Sequence, residues 1–250
     1  MLYSIVIPMY NEKAIARDCA VALTNKLESQ AEACSFRYEI IFSDDGSTDG
    51  CGDLVKEYAA ETTLRFGEIR VVRAEKNAGK GNAVRLGVLA TRGDIVAFTD
   101  SDLAYGCDVL IDMYERMVDP DFSADRLIGS RAIAENGYAG YTFMRKLASK
   151  TYIKLLAISA GFSHSDSQCG IKLFRGDAAR RIFDLCEVKG LAFDFEALLI
   201  AERLSYRILE YPVTVINHRE SKVSLVRDSI KMMSDVRKIK KRIRSMDISK

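Results

Sequence analysis

The first hundred residues repeat one pattern four times: an apolar run, a polar loop and then helical spacing. The runs with strand character cover residues 2–7, 38–42, 69–72 and 95–98. Because strands that alternate with helices are joined by crossover connections, the pattern predicts an α/β fold with a mostly parallel central sheet flanked by helices. The chain has 250 residues, of which 48% are hydrophobic, and this is enough for the core of such a domain.

Polar residues follow each of the four apolar runs. Ligands of open parallel sheets bind at the carboxyl ends of the strands. We therefore predict that one ligand site gathers these residues, which are Glu12, Asp44, Asp45, Lys80, Asp100 and Asp102.

Asp100 and Asp102 stand one residue apart directly after the apolar run 95–98. In an extended chain, alternate side chains point the same way, so the two carboxylates would lie on the same side and repel each other. Such a pair is stabilised by a cation, and oxygen ligands suit Mg²⁺ or Mn²⁺. The competing interpretation is a solvated strand end before a helix, where Asp is favourable.

Two common nucleotide-binding motifs are excluded around Gly79-Lys80-Gly81. A Walker loop would need glycine where Ala74 stands and Ser or Thr where Gly81 stands. A dinucleotide fingerprint would need its third glycine where Val84 stands. These departures remove the main support for an ATPase or a dehydrogenase.

The charge of the chain is unevenly distributed. Residues 222–250 contain ten Lys or Arg and three Asp, a net charge of +7, while the remaining 27 basic and 32 acidic residues give −5. An acidic body with a basic tail predicts an anionic partner such as a membrane surface. No recognition motif for nucleic acid accompanies the basic residues, so we expect no nucleic acid as a partner.

The lack of a recognisable signal peptide and the scattered cysteines indicate the compartment. The N-terminus lacks a basic region and reaches Pro8 too early for a signal peptide, and no apolar run approaches the roughly 18 residues of a membrane span. The six cysteines are scattered without a Cys-x-x-Cys pair, which is typical of a reducing compartment. We expect a cytoplasmic protein that is peripheral on the cytosolic face of a membrane.

The segments at the strand ends resemble family 2 glycosyltransferases of the GT-A fold. They are Ile7-Pro8-Met9-Tyr10-Asn11-Glu12, Asp44-Asp45-Gly46-Ser47-Thr48-Asp49, Asn77-x-Gly79-Lys80-Gly81 and Asp100-x-Asp102-Leu103. Later segments resemble the branch that makes polyprenyl-phosphate sugars, namely the dolichyl-phosphate glucosyltransferases and mannose synthases. These segments are Gly129-Ser130-Arg131, residues 166–174, residues 192–196 and Ser221-Lys222-Val223. The resemblance covers residues 2 to about 235.

The resemblance implies a nucleotide-sugar site in which Mg²⁺ or Mn²⁺ bridges the oxygens of the diphosphate. Asp102 would be the direct metal ligand, and Asp100 would contact the ribose or the water shell of the metal. Asp45 would accept the imino proton of uracil or guanine, and Lys80 would meet the donor phosphate. The remaining residues of the nucleotide pocket would be Pro8, Tyr10, Glu12 and Asp44. Without the resemblance, the two acids at 44–45 fit a helix-capping turn, and the lysine fits a surface position.

The resemblance also implies an acceptor with a lipid phosphate. Arg131, Arg145, Ser149 and Lys222 would surround that phosphate, and Arg131 would join Asp100 and Asp102 as a catalytic residue. A phosphate monoester has a second pKa near ~6, so at pH 7 it is largely a dianion that attacks the sugar without a protein base. Residues 141–160 would form an interfacial helix that grips the polyprenyl chain, although their apolar stripe also fits a core helix.

A hydroxyl acceptor would instead need a general base. Asp194 and Glu196 are the nearest candidates for that base, and their other role would be to orient Lys or Arg in the site. Asp166 and Gln168 are expected to shape the site from the turn before the run 171–174.

We predict a metal-dependent, inverting transfer of a hexose, with UDP-glucose as donor and a polyprenyl or dolichyl phosphate as acceptor. Mannose synthases of the family carry Gln two residues after the second Asp, where this chain has Ala104, so glucose is favoured over mannose from GDP-mannose. The alternatives are a polysaccharide-building transferase of the same family with a sugar hydroxyl acceptor, and a binding module without activity.

The chain divides into a catalytic domain, residues 1–220, and a basic helical tail, residues 221–250. Apolar residues recur every three or four positions from Val223 to Ile243, with basic residues between them. The pattern predicts a basic amphipathic helix that lies on anionic lipid or docks on a membrane protein. The competing interpretation is a solvated helix docked on the domain.

Overall fold

The computed structural model describes residues 1–138, 165–217 and 225–246, with side chains from residue 235 onward in the last range. Its strands are β1 (Leu2–Met9), β2 (Arg37–Asp44), β3 (Gly67–Arg73), β4 (Ile95–Phe98), β5 (Arg126–Ser130), β6 (Lys172–Arg175) and β7 (Ile208–Pro212). Its helices are α1 (Ala16–Ala31), α2 (Cys51–Glu61), α3 (Lys80–Leu89), α4 (Asp108–Val118), α5 (Gly176–Leu185), α6 (Phe193–Arg203) and α7 (Leu225–Arg244).

The strands of the described ranges form one seven-stranded sheet in the order β3-β2-β1-β4-β6-β5-β7. β1 pairs in parallel with β2 and β4, β2 pairs with β3, and β5 pairs with β7. β6 lies antiparallel between β4 and β5. The predicted mostly parallel sheet flanked by helices is therefore confirmed, with one reversed strand in its middle.

The sheet separates two apolar clusters. Ile5 and Ile7 of β1 pack on the side of α1, α2 and α4, while Val6 packs on the side of α3, α5 and α6. Because both faces are covered, the central strands are continuous apolar runs rather than alternating ones. Polar chemistry is consequently concentrated where these strands end.

Helix α7 lies on the second of these clusters. Its Val236, Ile239 and Ile243 are buried there. Among the side chains described from residue 235 onward, the exposed basic ones are Arg237, Lys238, Lys241 and Arg244. Among the described helices, none combines the length and the apolar composition of a membrane span.

Candidate active site

The carboxyl ends of β1, β2 and β4 lie side by side. Met9 of β1 pairs with Asp44 of β2, and Val6 of β1 pairs with Phe98 of β4. The loops that follow these three strands therefore meet at one edge of the sheet, as the sequence predicts.

The loop after β1 forms one wall of this edge. Pro8 is buried within β1, Glu12 is half-buried, and Tyr10 is 44% exposed. Asn11 has a positive φ of 52°, and its side-chain oxygen accepts the N–H of Thr48 at 2.9 Å. A positive φ is uncommon outside glycine, and here the hydrogen bond joins the loops after β1 and β2.

Asp100 and Asp102 lie in a turn that follows β4. The strand ends at Phe98, the N–H of Leu103 donates to the carbonyl of Asp100 at 3.0 Å, and Leu103 has a positive φ of 47°. Oδ1 of Asp102 accepts the N–H of Ala104 at 3.1 Å. The expectation that strand alternation aligns the two acids is wrong, because the chain has already left the strand. Leu103, directly after the two acids, has a left-handed backbone, and strain of this kind is found at functional sites.

Lys80 is the first residue of α3, and it faces the same turn. Its Nζ lies 2.5 Å from Oδ1 of Asp100. Burial alone would lower the pKa of Lys80, but the carboxylates of Asp100, Asp194 and Asp102 outweigh it and raise this pKa. A protonated lysine at a helix N-terminus offers a cation and backbone N–H groups to a phosphate.

Asp100 and Asp102 fit a divalent ion that arrives with a phosphate ligand. In the described part of the chain, no cluster of three His, Cys, Asp or Glu side chains forms a complete metal cage. Mg²⁺ is usually bound through one or two carboxylates together with substrate phosphates and water. The donor set of this turn matches that arrangement.

Asp45 ties the end of β2 to the start of α3. Its side chain is only 1% exposed. Oδ2 accepts the N–H groups of Ala78 at 3.0 Å and Gly79 at 2.6 Å, and Oδ1 accepts Nδ2 of Asn82 at 3.0 Å. A carboxylate has about four lone-pair positions, so three are used by the protein. Recognition of the base by Asp45 stays a prediction beside this anchoring role.

Asp44 is the last residue of β2, and its side chain binds the turn that follows. Its Oδ1 accepts the N–H of Ser47 at 2.8 Å, and Nε of Arg73 lies 3.3 Å from its Oδ2. These contacts fit the turn interpretation of Asp44. Its contact with the nucleotide stays a prediction.

Gly170 packs closely against Asp100. A Cβ atom at Gly170 would lie 2.5 Å from Oδ2 of Asp100. The N–H of Gly170 faces the hydroxyl oxygen of Tyr105 at 3.4 Å. Because Gly170 has no side chain, its backbone packs directly against the carboxylate of Asp100 and leaves room for it.

Arg131 follows β5 and is held by Asp166. Its Nε lies 2.6 Å from Oδ2 and its Nη2 lies 2.8 Å from Oδ1 of this fully buried carboxylate. Burial opposes the charge, but the hydrogen bonds that Arg131 donates to Asp166 outweigh it and raise the pKa of Arg131. The bidentate pair fixes the orientation of the guanidinium. The other predicted acceptor-site residues, Arg145, Ser149 and Lys222, lie outside the described residues.

The first turn of α6 carries two buried carboxylates that are both engaged. Nζ of Lys172 lies 2.7 Å from Oδ1 of Asp194. Glu196 accepts two backbone N–H groups, of residues 187–188, and an ion pair from Arg242. Burial lowers the pKa of Lys172 and raises the pKa of Glu196. These contacts fit the orienting role that is the alternative to a general base, and this role stays a prediction.

Three residues outside the predicted site support its acids. Asn82 donates a hydrogen bond to Asp45, Gly170 packs directly against the carboxylate of Asp100, and Lys172 forms an ion pair with Asp194. Asn82 and Gly170 adjoin or lie in motifs that the sequence already singles out, and this was the available signal. The partner of Lys172 has no local signature, since it lies on another element.

The mixed sheet in this order, flanked by helices, is that of the GT-A fold. The sequence profile of the family described as Glycosyl transferase family 2 matches residues 4–183. The chain belongs to this family, and the predicted family is confirmed.

Two relatives illustrate the similarity in sequence. Dolichyl-phosphate beta-glucosyltransferase of Saccharomyces cerevisiae is 34% identical over 247 residues, which cover 93% of this chain and 72% of the yeast protein. The protein of the same name from Dictyostelium discoideum is 30% identical over 248 residues, covering 95% of this chain and 73% of that protein.

The solved structures confirm the fold. Glucosyl-3-phosphoglycerate synthase of Mycobacterium tuberculosis, crystallised with Mn²⁺, UDP-glucose and glycerol 3-phosphate, superposes with a TM-score of 0.65 at 20% identity, covering 99% of this chain and 82% of that chain. The same enzyme with Mg²⁺ and UDP gives a TM-score of 0.64 at 19% identity, covering 99% of this chain and 81% of that chain.

Proposed function

We propose that this glycosyltransferase moves glucose from UDP-glucose to a dolichyl or other polyprenyl phosphate, with inversion at the anomeric carbon. The names of the relatives support both the sugar and the acceptor. The observation that supports the acceptor class is the engagement of Asp194 and Glu196 in ion pairs, because these two acids are the nearest candidates for the base that a hydroxyl acceptor would need.

The donor would bind at the edge formed by the loops after β1, β2 and β4. Tyr10, Pro8 and Glu12 would wall the nucleotide pocket, and Lys80 would contact the diphosphate. Asp102 would hold Mg²⁺ or Mn²⁺, with Asp100 supporting the ribose or the metal's water shell. A divalent ion bound there supplies Lewis acidity to the leaving diphosphate.

The acceptor phosphate would attack the anomeric carbon directly. One of its oxygens forms the new bond to the sugar, the bond from the sugar to UDP breaks, and UDP leaves with the electron pair. No proton has to be removed, because the phosphate monoester is already largely a dianion at pH 7. Arg131, oriented by Asp166, would bind this phosphate together with Arg145, Ser149 and Lys222.

The direct test measures product with purified protein, Mn²⁺ or Mg²⁺, and labelled UDP-glucose or GDP-mannose. Polyprenyl phosphate is the acceptor, and polyprenol without phosphate and a free sugar are the controls. We expect a glucosylated lipid phosphate from UDP-glucose only, and we expect EDTA to abolish it. A product from GDP-mannose would show that the proposed donor is wrong. Glycosylation of the free sugar alone would show that the proposed lipid-phosphate acceptor is wrong.

The exposed basic side of α7 supports a membrane-surface role for the tail. Arg237, Lys238, Lys241 and Arg244 are exposed, while Val236, Ile239 and Ile243 of the same helix are buried in the domain. Each basic residue near anionic lipid adds up to ~1 kcal/mol. Co-sedimentation should therefore be stronger with vesicles that contain phosphatidylserine than with neutral vesicles. Equal binding to both would favour a membrane-protein partner instead.

A further inference from the structure

Besides its buried apolar side chains, helix α7 contacts the domain through the guanidinium group of Arg242. Both Nη1 and Nη2 of Arg242 donate to the carbonyl of Leu185, the last residue of α5, at 3.3 Å. Nη1 also lies 3.0 Å from Oε1 of Glu187, and Nη2 forms an ion pair with Oε1 of Glu196 on α6. Arg242 therefore contacts α5, α6 and the connection between them, residues 186–192.

Glu196 transmits this contact to the backbone of the α5–α6 connection. It is fully buried, and its Oε2 accepts the N–H groups of Glu187 at 3.0 Å and Val188 at 2.8 Å. A buried carboxylate without a cationic partner is strongly unfavourable. The ion pair with Arg242 therefore offsets the cost of burying the carboxylate of Glu196, and this carboxylate holds the connection.

The α5–α6 connection in turn supports the start of α3. The N–H of Asn82 lies 3.2 Å from the carbonyl oxygen of Lys189, and a Cβ at Gly79 would lie 2.5 Å from the same oxygen. Gly81 likewise has no room for a side chain against this connection. Glycine on each side of Lys80 thus lets the connection pack directly on the start of α3.

The start of α3 carries a donor-site residue. Nζ of Lys80 lies 2.5 Å from Asp100, so a shift of this turn would move the lysine relative to the acids. The turn has a second support, because Asp45 accepts a hydrogen bond from Asn82 and two from the backbone before it. Loss of one support should therefore loosen the turn without unfolding it.

We propose that Arg242 is a positioning residue for the donor site. It holds Glu196 and the α5–α6 connection, and the connection keeps Lys80 in place for the diphosphate of the donor. The proposal rests on the proposed function for the identity of the donor. It makes the basic tail helix part of the donor-binding machinery.

The experiment compares Arg242→Ala with Arg244→Ala in the full chain. Both changes remove one positive charge from α7, but Arg244 is exposed on the other side of the helix. UDP-glucose binding is measured by titration calorimetry in excess Mn²⁺. We expect Kd to rise about tenfold for Arg242→Ala and less than twofold for Arg244→Ala.

Stoichiometry separates positioning from simple loss of stability. A purely structural role would lower the fraction of binding-competent protein and leave Kd unchanged, whereas positioning raises Kd at constant stoichiometry. Arg242→Lys, which keeps the charge but not the fork, should recover part of the affinity. If Arg242→Ala does not fold, Glu196→Gln serves instead, since its amide oxygen still accepts the backbone N–H groups.

A second cycle tests the route through Lys80. In a Lys80→Ala background, Arg242→Ala should weaken UDP-glucose binding by less than a further twofold. Independent, multiplying effects would overturn the proposal, as would equal Kd values for the Arg242 and Arg244 variants. Absence of UDP-glucose binding by the unmodified protein would reject the proposed donor, and this inference with it.

Discussion

Near the amino end of β2, Glu39 is fully buried and is bound by Arg70 and Arg92, whereas beyond the carboxyl end of β4 the side chain of Asp100 is 33% exposed and pairs with Lys80. Glu39 lies within a strand and Asp100 just after a strand of the same sheet, and both have a cationic partner. They differ in how many hydrogen bonds from the protein their carboxylate oxygens accept.

The two oxygens of Glu39 accept hydrogen bonds from side chains and from a backbone N–H, so little remains for any ligand. Such saturation contributes to the stability of the fold. Asp100 and Asp102 keep their carboxylates at an edge that solvent reaches, where a metal ion and a phosphate fit. Stability and chemistry are therefore placed at opposite ends of the parallel strands.

The largest effect is expected for Asp102→Asn. The amide oxygen can still accept the N–H of Ala104, so the turn should be kept, but the charge that would hold the divalent ion is lost. We expect kcat to fall about 10³-fold, on the order of 4 kcal/mol of transition-state stabilisation. The measurement is transfer from labelled UDP-glucose at saturating Mn²⁺.

Thermal unfolding supplies the control for this variant, and its midpoint should stay within about 1 °C of the unmodified protein. Asp102→Ala should lose as much activity and also lose the turn contact. A rate near that of the unmodified protein in either variant would remove Asp102 from the proposed mechanism.

The site could be predicted from the sequence as far as its residues follow strands. Glu12, Asp45, Lys80 and Asp100 each come after an apolar run, and parallel strands bring such positions to one edge. This argument needs only local pattern and the direction of the strands. The order of the strands in the sheet is not required.

The partners of these residues could not be predicted, because they depend on non-local packing. β6 enters the sheet antiparallel between β4 and β5, and this brings Gly170 against Asp100 and Lys172 toward Asp194. The strand alternation assumed for Asp102 failed because β4 is only four residues long. Strand length depends on the neighbouring strands as well as on the apolar run.

The next effect concerns stability, through Glu39→Gln. Burial alone would raise the pKa of Glu39, but hydrogen bonds from Ser4, Arg92 and Arg70 outweigh it and lower this pKa. A lowered pKa means that the stabilisation is present above the pKa of an unfolded Glu, about 4.3, and is lost as the pH falls through the folded value. We expect the variant to lose about 2 kcal/mol at pH 7, seen as a lower midpoint of urea unfolding.

The loss seen at pH 7 should shrink as the pH falls through the lowered pKa of folded Glu39, because the unmodified protein then also loses the charge. Glu68→Gln is the matched control, because Glu68 pairs with the same Arg92 but is half exposed. It should cost less than about 1 kcal/mol at either pH. A difference between the Glu39 variant and the unmodified protein that does not depend on pH would show that shape, not charge, matters at this position.

The smallest effect is expected for Gly170→Ala, which tests the chemical end of the sheet without removing a charge. The new Cβ would lie 2.5 Å from Oδ2 of Asp100, so the carboxylate has to move. The pair with Lys80 would be displaced with it, while the backbone of Gly170 imposes no left-handed strain. We expect UDP-glucose binding to weaken about tenfold, or about 1.4 kcal/mol.

The same substitution in an Asp100→Ala background shows whether the effect passes through that carboxylate. With the carboxylate absent, the added methyl group has room, so the second change should alter binding by less than about twofold. If Gly170→Ala weakens binding equally in both backgrounds, the methyl group acts on another part of the site. Displacement of the Asp100 carboxylate would then have no effect on donor binding. The contrast between the buried Glu39 and the acids of the candidate site would rest on Asp102 alone.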